Sequence, residues 1–173
     1  MGYSLAELDT IQARWELRFP PDLIELLQRQ RVLLDGPSAF DWINSDPDTI
    51  RDRLAWPFLS FWFDVQHNEV WWPEWGDKPA AADAQRRRLQ EIFASAPKLI
   101  PLFGHRYLPA EPCERGNPVL SVYQTDVICY GADLADWMER ERGGYTIKPW
   151  PPIREIAFWS EALRKNNAMP TSA

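Results

Sequence analysis

The sequence predicts an α+β protein, a single domain in which a mostly antiparallel central sheet is flanked by N-terminal and C-terminal helices. Helix-period apolar patterns occupy both ends of the 173-residue chain, and strand-like runs lie between them without strict alternation of strand and helix. The length suits one domain with a substantial core, and no long linker divides residues 1–173. Ten tryptophans argue against disorder, although the chain also contains 16 prolines.

Three helices are predicted before residue 56. The first covers residues 4–17, where apolar side chains recur every three or four positions. The second begins at Pro21, a residue suited to the first helical turn, and its buried stripe comprises Leu23, Leu26 and Leu27. A short third helix begins at Asp46-Pro47, where Asp46 is a natural N-cap.

The period changes after Trp56-Pro57, and the next residues are predicted to form a β-strand. Every second residue is apolar, and the unbroken apolar face comprises Leu59, Phe61, Phe63 and Val65. The alternate positions form a mixed face that comprises Phe58, Ser60, Trp62, Asp64 and Gln66. This pattern indicates a strand with one side in the core.

The rest of the chain supplies the remaining strands and helices. A turn-like passage through Pro73, Gly76 and Pro79 leads to a helix at residues 80–96, whose three arginines, 86–88, are expected to face solvent. Extended segments are predicted at residues 98–103, 118–123 and 127–130. Two further helices cover residues 133–142 and 152–165, and residues 166–173 are expected to form a frayed tail.

Composition narrows the classes of partner. A net charge of −6 leaves no basic footprint for a phosphate backbone, so we expect no nucleic-acid binding. No apolar run approaches the length of a membrane span, and the N-terminus lacks a basic start followed by an apolar stretch. We therefore expect a cytoplasmic protein without membrane contact, in which Cys113 and Cys129 are free thiols.

Familiar catalytic signatures are absent. The chain contains no Gly-x-Ser-x-Gly, no phosphate-binding loop, no His-Glu-x-x-His and no Gly-x-Gly-x-x-Gly. These absences favour a protein that is not an enzyme and that uses no metal or cofactor, while an active site without a local signature stays an alternative.

The stretch HNEVWWPEWG, residues 67–76, is the first candidate site. Asp64 could orient His67 as a general base, or His67 could join His105 and Asp126 in a metal site. In a strand, however, His67 and Asp64 would lie on opposite sides of the pleat, which favours a structural histidine. The tryptophans have two interpretations: all could be core, or one of Trp71 and Trp72 could be exposed for recognition.

The second candidate site combines two segments, residues 104–107 and 116–126. Gly116-Asn117-Pro118 predicts a turn before a strand. Hydrogen-bonding side chains then gather at the end of that strand, namely Tyr123, Gln124, Thr125 and Asp126. They could bind a partner or simply cap the next turn.

Three stretches resemble a bacterial branch of the SUKH superfamily. They are KLIPLFGHRYLPAEPCERGNPVLSVYQTDVICYGADLADWM at residues 98–138, FWFDVQHNEVWWPEWGDKP at residues 61–79 and ELRFPPDLIELL at residues 16–27. The likeness is strong over residues 56–138 and weak over residues 1–55, where Arg18 stands at a position that commonly holds a small residue.

The resemblance implies a SUKH-like α+β domain that binds protein. Bacterial members are commonly immunity proteins that neutralise toxin domains, often nucleases, while fungal relatives are regulatory modules in cell-wall synthesis; neither role implies catalytic residues or a cofactor. An acidic chain would associate quickly with a basic toxin. We expect the partner-binding face among His67, Glu69, Trp71, Glu74, Trp75, His105, Arg106, Tyr107, Tyr123, Gln124 and Asp126.

Two alternatives to this hypothesis remain at the level of sequence. The first is a small-molecule or carbohydrate-binding domain, or an enzyme, that uses a tryptophan-lined cleft with His67 or His105 as its polar group. The second is a homodimer, because exposed tryptophans also serve self-association.

Overall fold

The computed structural model describes residues 1–143 and 150–166, and it confirms the predicted α+β fold. Six α-helices in these residues flank a four-stranded antiparallel sheet. The helices are α1 (Leu5–Trp15), α2 (Pro21–Arg29), α3 (Pro47–His67), α4 (Ala82–Ser95), α5 (Leu134–Gly143) and α6 (Trp159–Lys165), with a short 3₁₀ turn at Pro73–Trp75. The predicted tail beyond Asn166 lies outside the described residues.

The sheet is a meander with strand order β1 (Leu99–Phe103), β2 (Arg106–Pro109), β3 (Val119–Tyr123) and β4 (Asp126–Gly131). Each neighbouring pair is antiparallel, so the β1–β2 turn and the β3–β4 turn lie at the same end of the sheet. The sequence pattern missed β2, a strand of only four residues that follows directly on the Gly104 turn. The other three strands agree with the predicted segments.

Each face of the sheet carries its own core. Neighbouring strand residues alternate between the two, as the pleat requires: Ile100, Leu108 and Val119 join the first core, whereas Leu99, Tyr107 and Leu120 join the second. Helices α1, α2 and α5 supply the first core, and α4, α6 and the later part of α3 supply the second. Helices therefore cover both faces of the sheet.

The predicted strand after Pro57 is wrong, because this segment continues α3, which is 21 residues long. Most of its buried positions after residue 56 have helical spacing, namely Pro57, Ser60, Phe61, Asp64 and Val65, and Trp62 is buried as well. Leu59 and Phe63, assigned by the strand pattern to the core, are 44% and 43% exposed. Since nearly every residue from 56 to 65 is apolar, the same sequence fits both the helical period and the strand period.

Pro57 does not end α3, although it has no N–H to donate to the carbonyl of Arg53 one turn earlier. The hydroxyl of Tyr107 on β2 donates to that carbonyl at 2.9 Å. Tyr107 is fully buried, and burial raises the pKa of its hydroxyl. A side chain from the sheet thus supplies the hydrogen bond that the proline removes, and the helix continues.

The C-terminal helix begins later than predicted. The sequence placed its start at residue 152, but α6 begins at Trp159. Phe158 has φ 64° and ψ −52°, a conformation that no right-handed helix can include. Trp159 then anchors the helix, because its indole N–H donates to the carbonyl of Pro97 at 2.8 Å.

Two smaller expectations are confirmed. Arg86, Arg87 and Arg88 are all exposed on α4, as a solvated face requires. Cys113 and Cys129 are both free thiols, and burial raises the pKa of Cys129 to about 12.

Within residues 1–143 and 150–166, no helix combines the length and apolarity needed to cross a membrane.

Candidate functional site

The outer face of α3 carries a row of large side chains that the protein does not bury. Leu59 and Phe63 lie one turn apart, and the His67 ring stacks on Phe63 with ring centroids 4.3 Å apart. Trp56 precedes Leu59 by three residues and extends the row toward the helix N-terminus. The helical period therefore places these four side chains on one face.

Two hairpin turns extend this row onto the sheet. His105, in the β1–β2 turn, lies 6.4 Å from Trp56 between ring centroids, and Tyr123, at the end of β3, lies 5.8 Å from Trp56. The indole N–H of Trp56 donates to the carbonyl of Val122 at 3.0 Å. Tyr123 is 49% exposed. We call this surface the apolar strip: Trp56, Leu59, Phe63, His67, His105 and Tyr123.

Asp64 fixes the β3–β4 turn against α3. Its buried carboxylate accepts hydrogen bonds from the backbone N–H of Thr125 at 2.8 Å and from the Thr125 hydroxyl at 2.6 Å. The side-chain amide of Asn68 donates to its other oxygen at 2.6 Å. With both oxygens engaged, Asp64 holds the hairpin in place, and through it Tyr123.

The hydrogen bond by which Asp64 could orient His67 is therefore not formed. The Nδ1 atom of His67 lies 3.0 Å from the backbone carbonyl of Phe63, on its own helix. The described residues also hold no group of three or more His, Cys, Asp or Glu side chains that could bind a metal ion. His67 and His105 both lie at the surface of the strip instead.

The segment of residues 67–76, rich in tryptophan, forms a lid over the second core. Trp75 is only 4% exposed, and its ring contacts Trp71 at 5.4 Å and Trp72 at 4.8 Å between centroids. Trp71 also donates its indole N–H to the carbonyl of Gly76 at 2.7 Å. Both Trp71 and Trp72 are partly buried, which favours the interpretation that the tryptophans are core over the alternative in which one of them is exposed.

The two glutamates of this segment differ. Glu74 forms an ion pair with Lys165 of α6 at 2.8 Å, and the hydrogen bond from Lys165 lowers the pKa of the Glu74 carboxyl. Glu69 is exposed, has φ 57°, and forms no ion pair with any described residue. Glu74 thus ties α6 to the lid, and Glu69 leaves a free carboxylate beyond the end of α3.

Arg106 and Tyr107 do not join the strip. Arg106 points to the α5 side, where its Nε donates to Glu141 at 3.1 Å and its guanidinium lies 3.9 Å from the centroid of Tyr130. Tyr107 points to the opposite face and is buried against α3. The neighbouring His105 alone reaches the surface that the sequence had assigned to all three.

The β3–β4 turn supplies one further charge. Gln124 is partly buried and has φ 59°, as the tight turn requires. Asp126 is the antiparallel partner of Tyr123 across the turn, and its exposed carboxylate has no ion-pair partner in residues 1–143 or 150–166. Asp52, one helical turn before Trp56, is likewise exposed and unpaired among those residues. Together with Glu69, they make the border of the strip acidic.

Sequence reasoning missed Trp56, Leu59 and Phe63 as surface residues. The signal for them was present: residues 56, 59, 63 and 67 have helical spacing and share a face. That signal is visible only when α3 is recognised as a helix that continues past Pro57.

An apolar groove lies elsewhere, where the two cores meet. Four aromatic rings contribute to it, together with Lys98 as its single charged residue; the rings are Trp15, Phe58, Phe93 and Trp159. Neither His67 nor His105 lines this groove. The tryptophan-lined cleft with a convergent histidine, expected in the alternative interpretation, is not found there.

Comparison with known proteins gives no match: no family model, no curated protein and no solved structure is detectably similar to this chain.

Proposed function

We propose that this chain is a protein-binding domain of the SUKH type, an immunity protein that binds and neutralises a toxin domain through the apolar strip. The observation that carries the proposal is the exposure of Leu59, Phe63 and Tyr123 on one connected surface with acidic borders. The resemblance of residues 56–138 to the superfamily supports the choice of partner class.

The strip has the properties of an interface centre. Large apolar and aromatic side chains are the usual anchors of protein interfaces, and burying the exposed half of one such side chain contributes roughly 1 kcal/mol. The side chains are also preorganised, because Asp64 fixes the β3–β4 turn to α3 and Trp56 donates to β3. Little conformational entropy is then lost when a partner binds.

Charge supports a basic partner over a second copy of the chain. The protein has a net charge of −6, and unpaired carboxylates at Asp52, Glu69 and Asp126 border the strip. Two copies meeting at this surface would bring like charges together, whereas a basic toxin, such as a nuclease that grips phosphates, would be attracted and steered.

The test compares two double variants in capture experiments from the native organism at low and moderate salt. Leu59→Ser/Phe63→Ser changes the strip, and Leu5→Ser/Ile43→Ser changes two apolar residues elsewhere that are at least about as exposed, so that both proteins should fold. We expect the wild type and the control to capture a basic toxin-domain protein, less of it as salt rises, and the strip variant to lose it.

Neutralisation completes the test. The captured protein is expressed alone and together with each variant, and we expect the wild type and the control, but not the strip variant, to restore growth. Equal protection by the wild type, the control and the strip variant, or a captured protein without toxicity, would refute the proposal. Circular dichroism and urea unfolding check that the strip variant retains its fold.

A further inference from the structure

Three rings of the apolar strip meet one another at the end of the sheet. His105 and Tyr123 are 5.2 Å apart between centroids with an interplanar angle of 71°, and each also contacts Trp56. The rings come from three elements: the β1–β2 turn, the end of β3 and α3. We call them the ring triad. Both His105 and Tyr123 are exposed, so the triad opens to solvent.

Among the described residues, no Arg or Lys lies over the rings of the triad. Across the described residues, an Arg or Lys lies over seven other rings: Tyr3, Trp15, Phe40, Trp62, Trp72, Tyr130 and Trp150. Arg106 adjoins His105 in sequence, but its guanidinium is held by Tyr130 and Glu141 on the other side of the sheet. The π faces that are exposed at the triad are therefore available to a cation from outside.

Two carboxylates flank the triad. Asp126 is the cross-strand partner of Tyr123, so the two side chains lie on the same face of the hairpin. Asp52 lies one helical turn from Trp56. Neither carboxylate has an ion-pair partner in the described part of the chain, so both are available to a bound cation.

We propose that the ring triad and these two carboxylates form a receptor for a single cationic side chain, an arginine or lysine of the protein partner. The rings would contact the face of a guanidinium or the head of an ammonium group, while Asp126 and Asp52 would accept its hydrogen bonds. The proposal rests on the proposed function, because it assigns the basic character of the partner to one place on the strip.

The state of His105 suits this role. Partial burial, and secondarily the charge of Arg106, lower the pKa of its imidazole. At neutral pH the ring is therefore uncharged and does not repel a cation. The two carboxylates that flank the triad, Asp52 of α3 and Asp126 of β4, both favour the cation.

The probe is arginine amide, with citrulline amide as the isostere whose side chain is uncharged, titrated into the ¹⁵N-labelled full chain at constant ionic strength. The reporters are the amides of Tyr123 and His105 and the indole N–H of Trp56, which Trp56→Phe identifies. We expect saturable shifts at these three positions with arginine amide and none with citrulline amide. Tyr123→Ala should weaken binding by about tenfold, and Asp126→Asn by several-fold.

Ile43→Ala, which changes an exposed residue beside α1, is the control and should bind as the wild type does. Equal shifts from both amides, the absence of saturable shifts, or unchanged binding by Tyr123→Ala would each overturn the receptor. The outcome is separate from that of the proposed function. Capture of a basic toxin without binding of arginine amide would refute the proposed receptor alone. Binding of arginine amide without any toxin partner would refute the proposed immunity role alone.

Discussion

Two neighbouring regions of this protein are rich in aromatic residues, and the structure uses them in opposite ways. The segment of residues 67–76 contains three tryptophans, all of which pack against one another over the second core. The outer face of α3, at residues 56–67, presents Leu59 and Phe63 to solvent. The denser aromatic segment is thus a lid, and the less conspicuous helix face is the candidate interface.

Aromatic density alone therefore does not distinguish a lid from an interface. Trp71 donates its N–H to the carbonyl of Gly76 within the same segment, and Arg88 of α4 donates to the carbonyl of Trp75. These polar groups of the segment therefore find their hydrogen-bonding partners within the protein. Leu59 and Phe63 contain no polar group that could be satisfied in this way, and only a partner can remove them from water.

Truncation of one aromatic residue in each region should give the largest difference between the lid and the strip. Trp75→Ala should lower the free energy of unfolding by about 3–5 kcal/mol, because the ring is buried against Phe61, Trp71 and Trp72. Phe63→Ala should cost less than about 1 kcal/mol, because nearly half of the side chain is already exposed. Urea unfolding of both variants measures the difference, and equal losses would show that the lid and the strip contribute alike.

A second variant tests the contribution of Asp64, which holds the β3–β4 turn beside the strip, to the stability of the protein. Asp64→Ala leaves the N–H and hydroxyl of Thr125 without their acceptor, and we expect a loss of about 2–3 kcal/mol. Hydrogen exchange at Thr125 should accelerate as well. The matched control is Asp126→Ala, at the same turn but exposed and without an ion-pair partner among the described residues, and it should leave the unfolding free energy nearly unchanged. A similar cost for both variants would contradict the anchoring role of Asp64.

The buried side of α3 offers a third test, in which one substitution repairs another. Tyr107→Phe removes the donor to the carbonyl of Arg53 and should cost about 1–2 kcal/mol. In the background of Pro57→Ala, the new backbone N–H of residue 57 can supply that hydrogen bond, so the same change should cost much less. A double-mutant cycle by urea unfolding measures the coupling, and strictly additive losses would mean that Tyr107 does not replace the missing donor.

Much of the fold can be predicted from sequence, because the spacing of apolar residues and the helix-capping residues indicate the same elements that the structure shows. Ser4 and Glu7 form a capping box at the start of α1, and Pro21 begins α2 as its fixed φ favours. The failure at α3 has a physical cause that no local rule contains. The hydrogen bond that carries the helix past Pro57 comes from Tyr107, fifty residues later in the chain, and only the folded sheet brings it there.

The candidate site was predictable only in part for the same reason. His67, His105, Tyr123 and Asp126 were identified as residue types at turns and element ends, and the structure places them on or beside the strip. Which of their neighbours share that surface depends on strand direction. Tyr107 follows His105 directly, yet the alternation of β2 buries it. Local sequence did not show that 106–109 forms a strand, so this separation could not be foreseen.

The smallest expected effect concerns the charge of His105, and it tests how far the neighbouring rings shield this imidazole from water. Burial lowers the pKa of its imidazole below the usual value of about 6.5, so the folded protein takes up this proton less readily than the unfolded chain does. Stability from this group is therefore fully present above pH 6.5 and decreases as the pH falls below that value. An NMR titration of the imidazole should give a pKa below 6.5, and Arg106→Gln should raise it only partly, because burial is the larger cause. Full recovery in that variant would mean that the charge of Arg106 dominates and that the rings around His105 exclude little water, which would make the ring triad a weaker receptor than the structure indicates.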